Sequence, residues 1–200
     1  MTPDEPLDPD RSKLWLVRHG ETEWSESGRH TGWTDIPLTA AGREQAAGLG
    51  EALAGHDFTL VLSSPLSRAL DTARLAGFAD RVEVTDDLRE WNYGAYEGRT
   101  TAEIRVERPG WAIWNEGPLA GETLDEVAVR VDRVIARVRA ADGDSLAFAH
   151  AHLLRILAAR WLGLAPERGH LFALATATVS VLAWEREQPV IEHWNQARRA

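Results

Sequence analysis

The sequence contains no cysteine, which excludes a disulfide framework, a cysteine nucleophile and any thiolate metal site. It has no apolar run near the roughly 18 residues that a membrane-spanning helix needs. It also lacks a basic excess: 22 Lys and Arg stand against 31 Asp and Glu, a net charge of −9. The mean field of such a chain repels polyanions, which argues against a nucleic-acid or anionic-membrane partner. A local arginine cluster could still draw in a small anion. Residues 1–12, rich in Pro and Asp, carry neither the basic region nor the apolar core of a leader peptide. The expectation is a disordered acidic tail over 1–12, one domain over 13–200, and a cytoplasmic protein. Internal repeats and other low-complexity tracts are missing too.

What remains is an ordinary globular composition. The 200 residues are 44% hydrophobic and 26% charged, with nine tryptophans, enough for one α/β domain to bury a core without staples. The apolar run Leu14-Trp15-Leu16-Val17 stops at Arg18-His19-Gly20 and predicts a buried strand entering a loop. Residues 20–38, with Gly28, Gly32 and Pro37, predict a long loop. Thr39 caps a helix bearing Ala46, Leu49 and Leu53 on one face. Phe58 to Leu62 predicts a second buried strand, and Ser64-Pro65 opens a helix with the stripe Leu66, Ala69, Leu70, Ala73. Val82 to Val84 is a weaker strand.

Thr100 with Glu103 and Thr123 with Glu126 have capping-box spacing. The second box starts a long helix with Leu124, Val127, Val131, Val134 and Val138 facing one way. Leu146 to Ala149 reads as a strand, and Leu153 to Leu162 as a helix apolar almost all round. Thr178 to Trp184 and Val190 to Trp194 read as a closing hairpin. Strands alternating with helices imply an α/β fold: a three-layer α/β/α sandwich on a mostly parallel central sheet.

In such sheets ligands bind beyond the carboxyl ends of the strands. The first strand delivers Arg18 and His19 there, and the second delivers Ser63, Ser64 and, a helical turn on, Arg68. The late strand delivers His150, and the loop after the weak strand holds Glu90. Two arginines, two histidines and a carboxylate on one rim suit a phosphoryl group, which guanidinium forks and free backbone N–H groups neutralise. Singly, each residue has a bland reading as solvated or structural; their joint placement favours the functional one.

At these residues the sequence resembles the histidine phosphatases, the superfamily that includes cofactor-dependent phosphoglycerate mutases. Leu16-Val17-Arg18-His19-Gly20-Glu21-Thr22 is similar to its signature, and Ser63 to Ala69 with Thr72 to its second motif. Leu88-Arg89-Glu90 through Tyr93 to Gly98 resembles the acid-bearing loop, and Phe148-Ala149-His150 the last motif. The resemblance covers about residues 13–185 and implies a phosphoglycerate mutase-like fold. It implies that His19 is the nucleophile, that Arg18, Arg68 and His150 bind the transferring phosphoryl group, and that Glu90 protonates the leaving oxygen. Ser25, Thr31, Gly32 and Ala151 are expected to join Arg18 and Arg68 in binding substrate. No metal and no cofactor are expected.

Three departures from the family pattern stand out. Ala151 replaces the usual glycine after the second histidine, which a helix's first turn tolerates. Trp24-Ser25 replaces Trp-Asn, a shorter donor. The mutase insertion and longer acid-loop signature are missing, although Thr31 to Asp35 is mutase-like. The expected activity is therefore a metal-independent phosphomonoesterase, acid phosphatase-like, acting on a small phosphorylated metabolite through a phosphohistidine, as monomer or homodimer. The alternatives are a phosphoglycerate mutase and a non-catalytic phospho-ligand binding module. His30 and Trp33 are candidates for the pocket wall, and His152 for packing or the pocket edge. His150 and His152 diverge by about 200° in a helix start, which disfavours a shared metal. Trp111 and Trp114 are expected to pack, and Gly121-Glu122-Thr123 to cap a helix.

Overall fold

The computed structural model describes residues 11–197. The tail expected over 1–12 lies outside the described residues except for Arg11 and Ser12. The Arg11 guanidinium sits 3.8 Å over the Trp184 ring, and Ser12 Oγ donates to Ala141 O (3.4 Å). In chain order the elements are β1 (Leu14–Arg18), α1 (Glu23–Glu26), α2 (Ala40–Leu53), β2 (Leu60–Ser63), α3 (Ser67–Ala73) and β3 (Glu83–Val84). There follow α4 (Thr101–Glu107), α5 (Ile113–Glu116), α6 (Leu124–Arg139), β4 (Ser145–Ala149), α7 (Ala151–Trp161), β5 (Val179–Glu185) and β6 (Gln188–Gln196). Among the described residues no helix is long and apolar enough to cross a membrane.

The strands form one sheet in the order β3-β2-β4-β1-β5-β6. β1, β2, β3 and β4 pair in parallel, whereas β5 lies antiparallel to β1 and to β6, the expected hairpin. Side chains alternate across a strand, and this splits the core. Leu14, Leu16, Ala147 and Ala149 face α6 and α7. Val17, Leu146 and Phe148 face the other way, onto Leu49 and Leu53 of α2 and Ala73 of α3. The result is a mostly parallel sheet with a helical layer on each side.

Register sets up the site. Arg18 lies opposite Ala149 and Ser63 opposite Phe148, so β1, β2 and β4 end side by side. The ladder runs one residue further: His19 N donates to Ala149 O and Ser64 N to Phe148 O, both at 3.0 Å. His19, Ser64 and His150 thus leave the sheet together.

Several local expectations need correction. The loop over 20–38 contains a one-and-a-bit-turn helix, α1, because Thr22 and Ser25 form a reciprocal capping box. Pro65 does not lie in a first helical turn: Leu66 stays extended (φ −68°, ψ 134°) as N-cap and α3 starts at Ser67. Its buried face is Arg68, Ala69, Thr72 and Ala73 rather than Leu70. β2 begins at Leu60, although Phe58 is fully buried before it. On α6 the buried stripe is Val127, Val131, Val134 and Val138, joined by Ala128, Ile135 and Arg130.

The exit of β1 crosses the start of α2 with no room for side chains. A Cβ on Gly42 would collide with the carbonyl oxygen of Glu21, and one on Gly20 with that of Gly42. Replacing a helical glycine by alanine ordinarily stabilises by about 1 kcal/mol. Gly42→Ala should instead destabilise by about 1–3 kcal/mol through overpacking, read as a lowered thermal midpoint. A raised midpoint would contradict this crossing.

Candidate active site

The site begins with the backbone turn after β1. Gly20 N donates to Thr72 Oγ1 (3.1 Å) on α3, and Thr72 Oγ1 donates on to Arg68 O (2.6 Å). So fixed, the Gly20 carbonyl lies 2.7 Å from His19 Nδ1. A carbonyl oxygen only accepts, so Nδ1 carries the proton and the Nε2 lone pair of the neutral ring is free. His19 is buried. Burial, then Arg68 and Arg18, hold its pKa well below the usual 6.5, against the opposing pull of the Gly20 carbonyl.

Arg68 is fully buried, and its donors are engaged. Nε donates to His150 Nδ1 (3.2 Å), Nη1 to Thr34 O (3.1 Å), and Nη2 to Thr31 O (3.2 Å) and Gly32 O (2.7 Å). Since His150 Nδ1 accepts, its ring proton is on Nε2, which donates to Ser64 Oγ at 2.8 Å. Burial first, and then Arg68 and His19, keep His150 well below its usual pKa. The two imidazole centroids are 5.1 Å apart. Arg18 donates from Nη1 to Leu174 O (2.6 Å), while its Nε is a buried N–H with no partner among the described residues.

Glu90 is buried at the N-terminus of α7. Its Oε1 accepts from Trp91 N and Leu153 N (both 2.9 Å), and Oε2 from His152 N (3.1 Å). His152 and Leu153 contribute N–H groups that the helix itself leaves unpaired. The loop carrying Glu90 is braced from α6. Arg130 donates to the carbonyls of Asp87 and Arg89, and to Glu90 O at 3.0 Å. It also forms a two-pronged pair with Glu122 (2.9 and 3.0 Å), whose Oε2 accepts from Asn92 N (2.8 Å).

A pocket of about 180 Å³ opens over these groups, lined by Arg18, His19, Glu90, Tyr93, Ala151 and His152 together with residues of the 25–31 loop. Ser25 and Thr31 reach this pocket, but the Ser25 hydroxyl donates to Thr22 O (2.9 Å) in its helix cap. Thr31 contributes its carbonyl to Arg68. Gly32 is buried behind the wall, where a Cβ would strike Glu97 and Trp91, and its carbonyl is another anchor for Arg68. Ala151 is the first residue of α7, after the extended N-cap His150 (φ −129°), so no glycine is needed there. His30 lines the pocket, whereas Trp33 braces Glu90 from behind through Nε1 to Glu90 O (3.0 Å). Glu122 acts through Arg130 and not on the pocket. Arg130, Ser64 as a partner of His150, and the bracing role of Glu97, which accepts from Trp33 N and Thr34 N (both 2.7 Å), were not anticipated. Among the described residues no group of three His, Asp or Glu is placed to hold a metal ion.

The sequence profile of the histidine phosphatase superfamily (branch 1) matches residues 14–197. The chain belongs to that superfamily. An acid phosphatase of Mycobacterium tuberculosis is 42% identical over 177 residues, which are 86% of this chain and 87% of the relative. A sedoheptulose 1,7-bisphosphatase of Saccharomyces cerevisiae is 40% identical over 186 residues, covering 76% of this chain and 68% of the relative. The solved structure of an open reading frame of M. tuberculosis, 38% identical, superposes with a TM-score of 0.88 over 93% of this chain and 98% of that one. This histidine phosphatase thus keeps the overall architecture of its relatives.

The neutral histidines impose a pH dependence on stability. His19, His150 and His152 all have folded pKa values well below 6.5, burial being the first cause in each case. The unfolded chain therefore binds protons below about pH 6.5 that the folded chain does not, so stability is fully present above that pH and falls below it. The expected slope is up to about 1.4 kcal/mol per pH unit for each histidine, until its folded pKa is reached. Urea midpoints should change little from about pH 8 to 7 and drop steeply from about 6 to 5. A flat profile over the second interval would contradict the neutral assignment.

Proposed function

We propose that this histidine phosphatase is a phosphomonoesterase that hydrolyses small phosphorylated metabolites through a phosphohistidine on His19 Nε2. The observation that carries this reading is His19 itself: Nδ1 pinned on Gly20 O at 2.7 Å, with the free Nε2 among Arg18, Arg68 and His150. Arg18 lines the pocket beside His19, where its guanidinium can bind phosphoryl oxygens. The first N–H of α7, on Ala151 beside the pocket, offers a further donor at a helix N-terminus, a favoured place for phosphate. The phosphatase relatives named above support the same reaction class.

In the first step the Nε2 lone pair attacks phosphorus, the P–N bond forms and the ester P–O bond breaks. Arg18 and the Ala151 N–H take the phosphoryl oxygens. Arg68 adds its charge from a fixed position, and the Nε2–H of His150 is shared between Ser64 Oγ and the phosphoryl group. Glu90 passes its proton to the leaving oxygen. Oε2 suits that duty, because it accepts a single N–H while Oε1 accepts two. In the second step water attacks phosphorus and the Glu90 carboxylate takes its proton; the P–O bond forms, the P–N bond breaks with its electron pair returning to His19 Nε2, and phosphate leaves. Fixed cations and dipoles supply the electrostatic stabilisation.

Purified protein should hydrolyse an aryl phosphate in the presence of EDTA, and His19→Ala should lower the rate by several orders of magnitude. Glu90→Gln should slow alkyl phosphates by about 10²–10⁴-fold and aryl phosphates far less, because a phenolate scarcely needs a proton to leave. Isomerisation of 3-phosphoglycerate without phosphate release would instead identify a mutase. Tight vanadate binding without turnover of any ester would identify a binding module.

A further inference from the structure

The pocket wall contains a polar pair that the two steps above do not use. Tyr93 is buried, and its Oη lies 2.6 Å from His152 Nδ1. Both side chains line the pocket that holds His19 and Glu90. Around them the packing is aromatic. The His30 ring stands 5.0 Å from Tyr93 and 5.5 Å from Trp111, and the Trp114 ring 5.1 Å from His152. His152 Nε2 has no hydrogen bond among the described residues, and neither does the second lone pair of Tyr93 Oη.

Burial holds Tyr93 well above its usual pKa and His152 well below its own, so both groups are neutral. A neutral phenol hydrogen-bonded to a neutral imidazole has a property that does not depend on tautomer. If Tyr93 donates to Nδ1, His152 shows an Nε2–H and Tyr93 an oxygen lone pair. If Nδ1–H donates to Tyr93, His152 shows a lone pair and Tyr93 an O–H. In both cases the pair presents one donor and one acceptor. An alcohol is the ligand with that same double character, whereas a carboxylate or phosphate only accepts at neutral pH. A purely apolar group would leave both members buried without partners.

We propose that the Tyr93–His152 pair binds a hydroxyl group of the leaving alcohol, so that the preferred substrates are phosphate monoesters of small polyols. This rests on the phosphatase reading and refines it. The pocket volume is compatible with it: 180 Å³ is about the share of six water molecules in the liquid, room for a phosphoryl group and a short carbon chain. His152 is in this view a specificity-determining residue, and Tyr93 both a contact and the positioning residue for its ring.

The test compares glycerol 1-phosphate with propyl phosphate, which has the same chain and lacks both hydroxyls. The wild-type protein should favour the glycerol ester in kcat/KM by about 10–100-fold, since a site built for a hydroxyl rejects the analogue without one. In His152→Phe and in Tyr93→Phe that ratio should fall toward one, chiefly through KM. His152→Gln, which keeps an N–H donor and a carbonyl acceptor, should recover part of it. Equal kcat/KM for the two esters in the wild type would overturn the proposal, as would an unchanged ratio in both Phe variants. An aryl phosphate run alongside separates the two levels of inference. If it too is not hydrolysed by the wild type, the phosphatase reading falls and this proposal with it. If it is hydrolysed while the ester ratio is one, the hydroxyl site alone falls.

Discussion

The burial of one guanidinium organises this site. Arg68 has no exposed surface, and an unpaired charge in that position would cost several kcal/mol. The chain meets that demand with neutral acceptors: the carbonyls of Thr31, Gly32 and Thr34 and the Nδ1 of His150. Asp35, 3.9 Å away and half exposed, is the only carboxylate within ion-pair distance of it among the described residues. Because most of its partners are neutral, Arg68 keeps its field. That field appears in the depressed pKa of both His19 and His150. The same hydrogen bonds pin the loop over 31–34 to α3, so that electrostatics and loop position are set by one residue.

A second buried arginine does the equivalent work for Glu90, the proposed acid. Arg130 spans from α6 to three successive parts of the loop before and at Glu90, and Glu122 closes the circuit to Asn92. Trp33 adds a bond to the same Glu90 carbonyl, and its own N–H is held by Glu97. Glu90 is therefore fixed at both ends, by its backbone from α6 and by its carboxylate from α7. The two arginine frames meet at residues 31–34. That contact couples the Arg68 side of the site to the Glu90 side, and a shift of one loop would be felt in the other.

Much of this was legible in the sequence, for reasons that differ by residue. Strand ends are visible wherever an apolar run stops at charge, which is why His19, His150 and Arg18 were placed correctly on one rim. The capping boxes at Thr100 and Thr123 announced α4 and α6, since Glu at the third position is a strong mark. α1 escaped because its box uses Ser25 in that position. Arg130 was overlooked although a signal existed. It sits three residues after Val127 and four before Val134, a charge in the middle of an apolar stripe, and such a residue must find buried acceptors. Glu97 and the Tyr93–His152 contact gave no such sign. They depend on how loops return to the sheet, and sequence spacing does not encode that.

The molecule carries a net charge of −9, and the anion site proposed for it is compatible with that charge because of distance and burial. Exposed charges further away than about 10 Å are largely screened at ordinary ionic strength. Buried ones act through a medium of lower effective dielectric and are screened far less. The pocket therefore responds to Arg18, Arg68 and the α7 N-terminus rather than to the acidic surface. A phosphoryl group bound as proposed would work against part of this arrangement, since its negative charge would raise the pKa of a nearby imidazole and favour protonating His19. Two fixed guanidinium groups offset that charge, and the Gly20 carbonyl occupies Nδ1. In the proposed reaction Nε2 is then the ring atom left to attack a phosphorus whose oxygens those cations would hold. Under the proposed mechanism the cations thus have a double role: they attract the substrate, and they keep His19 uncharged.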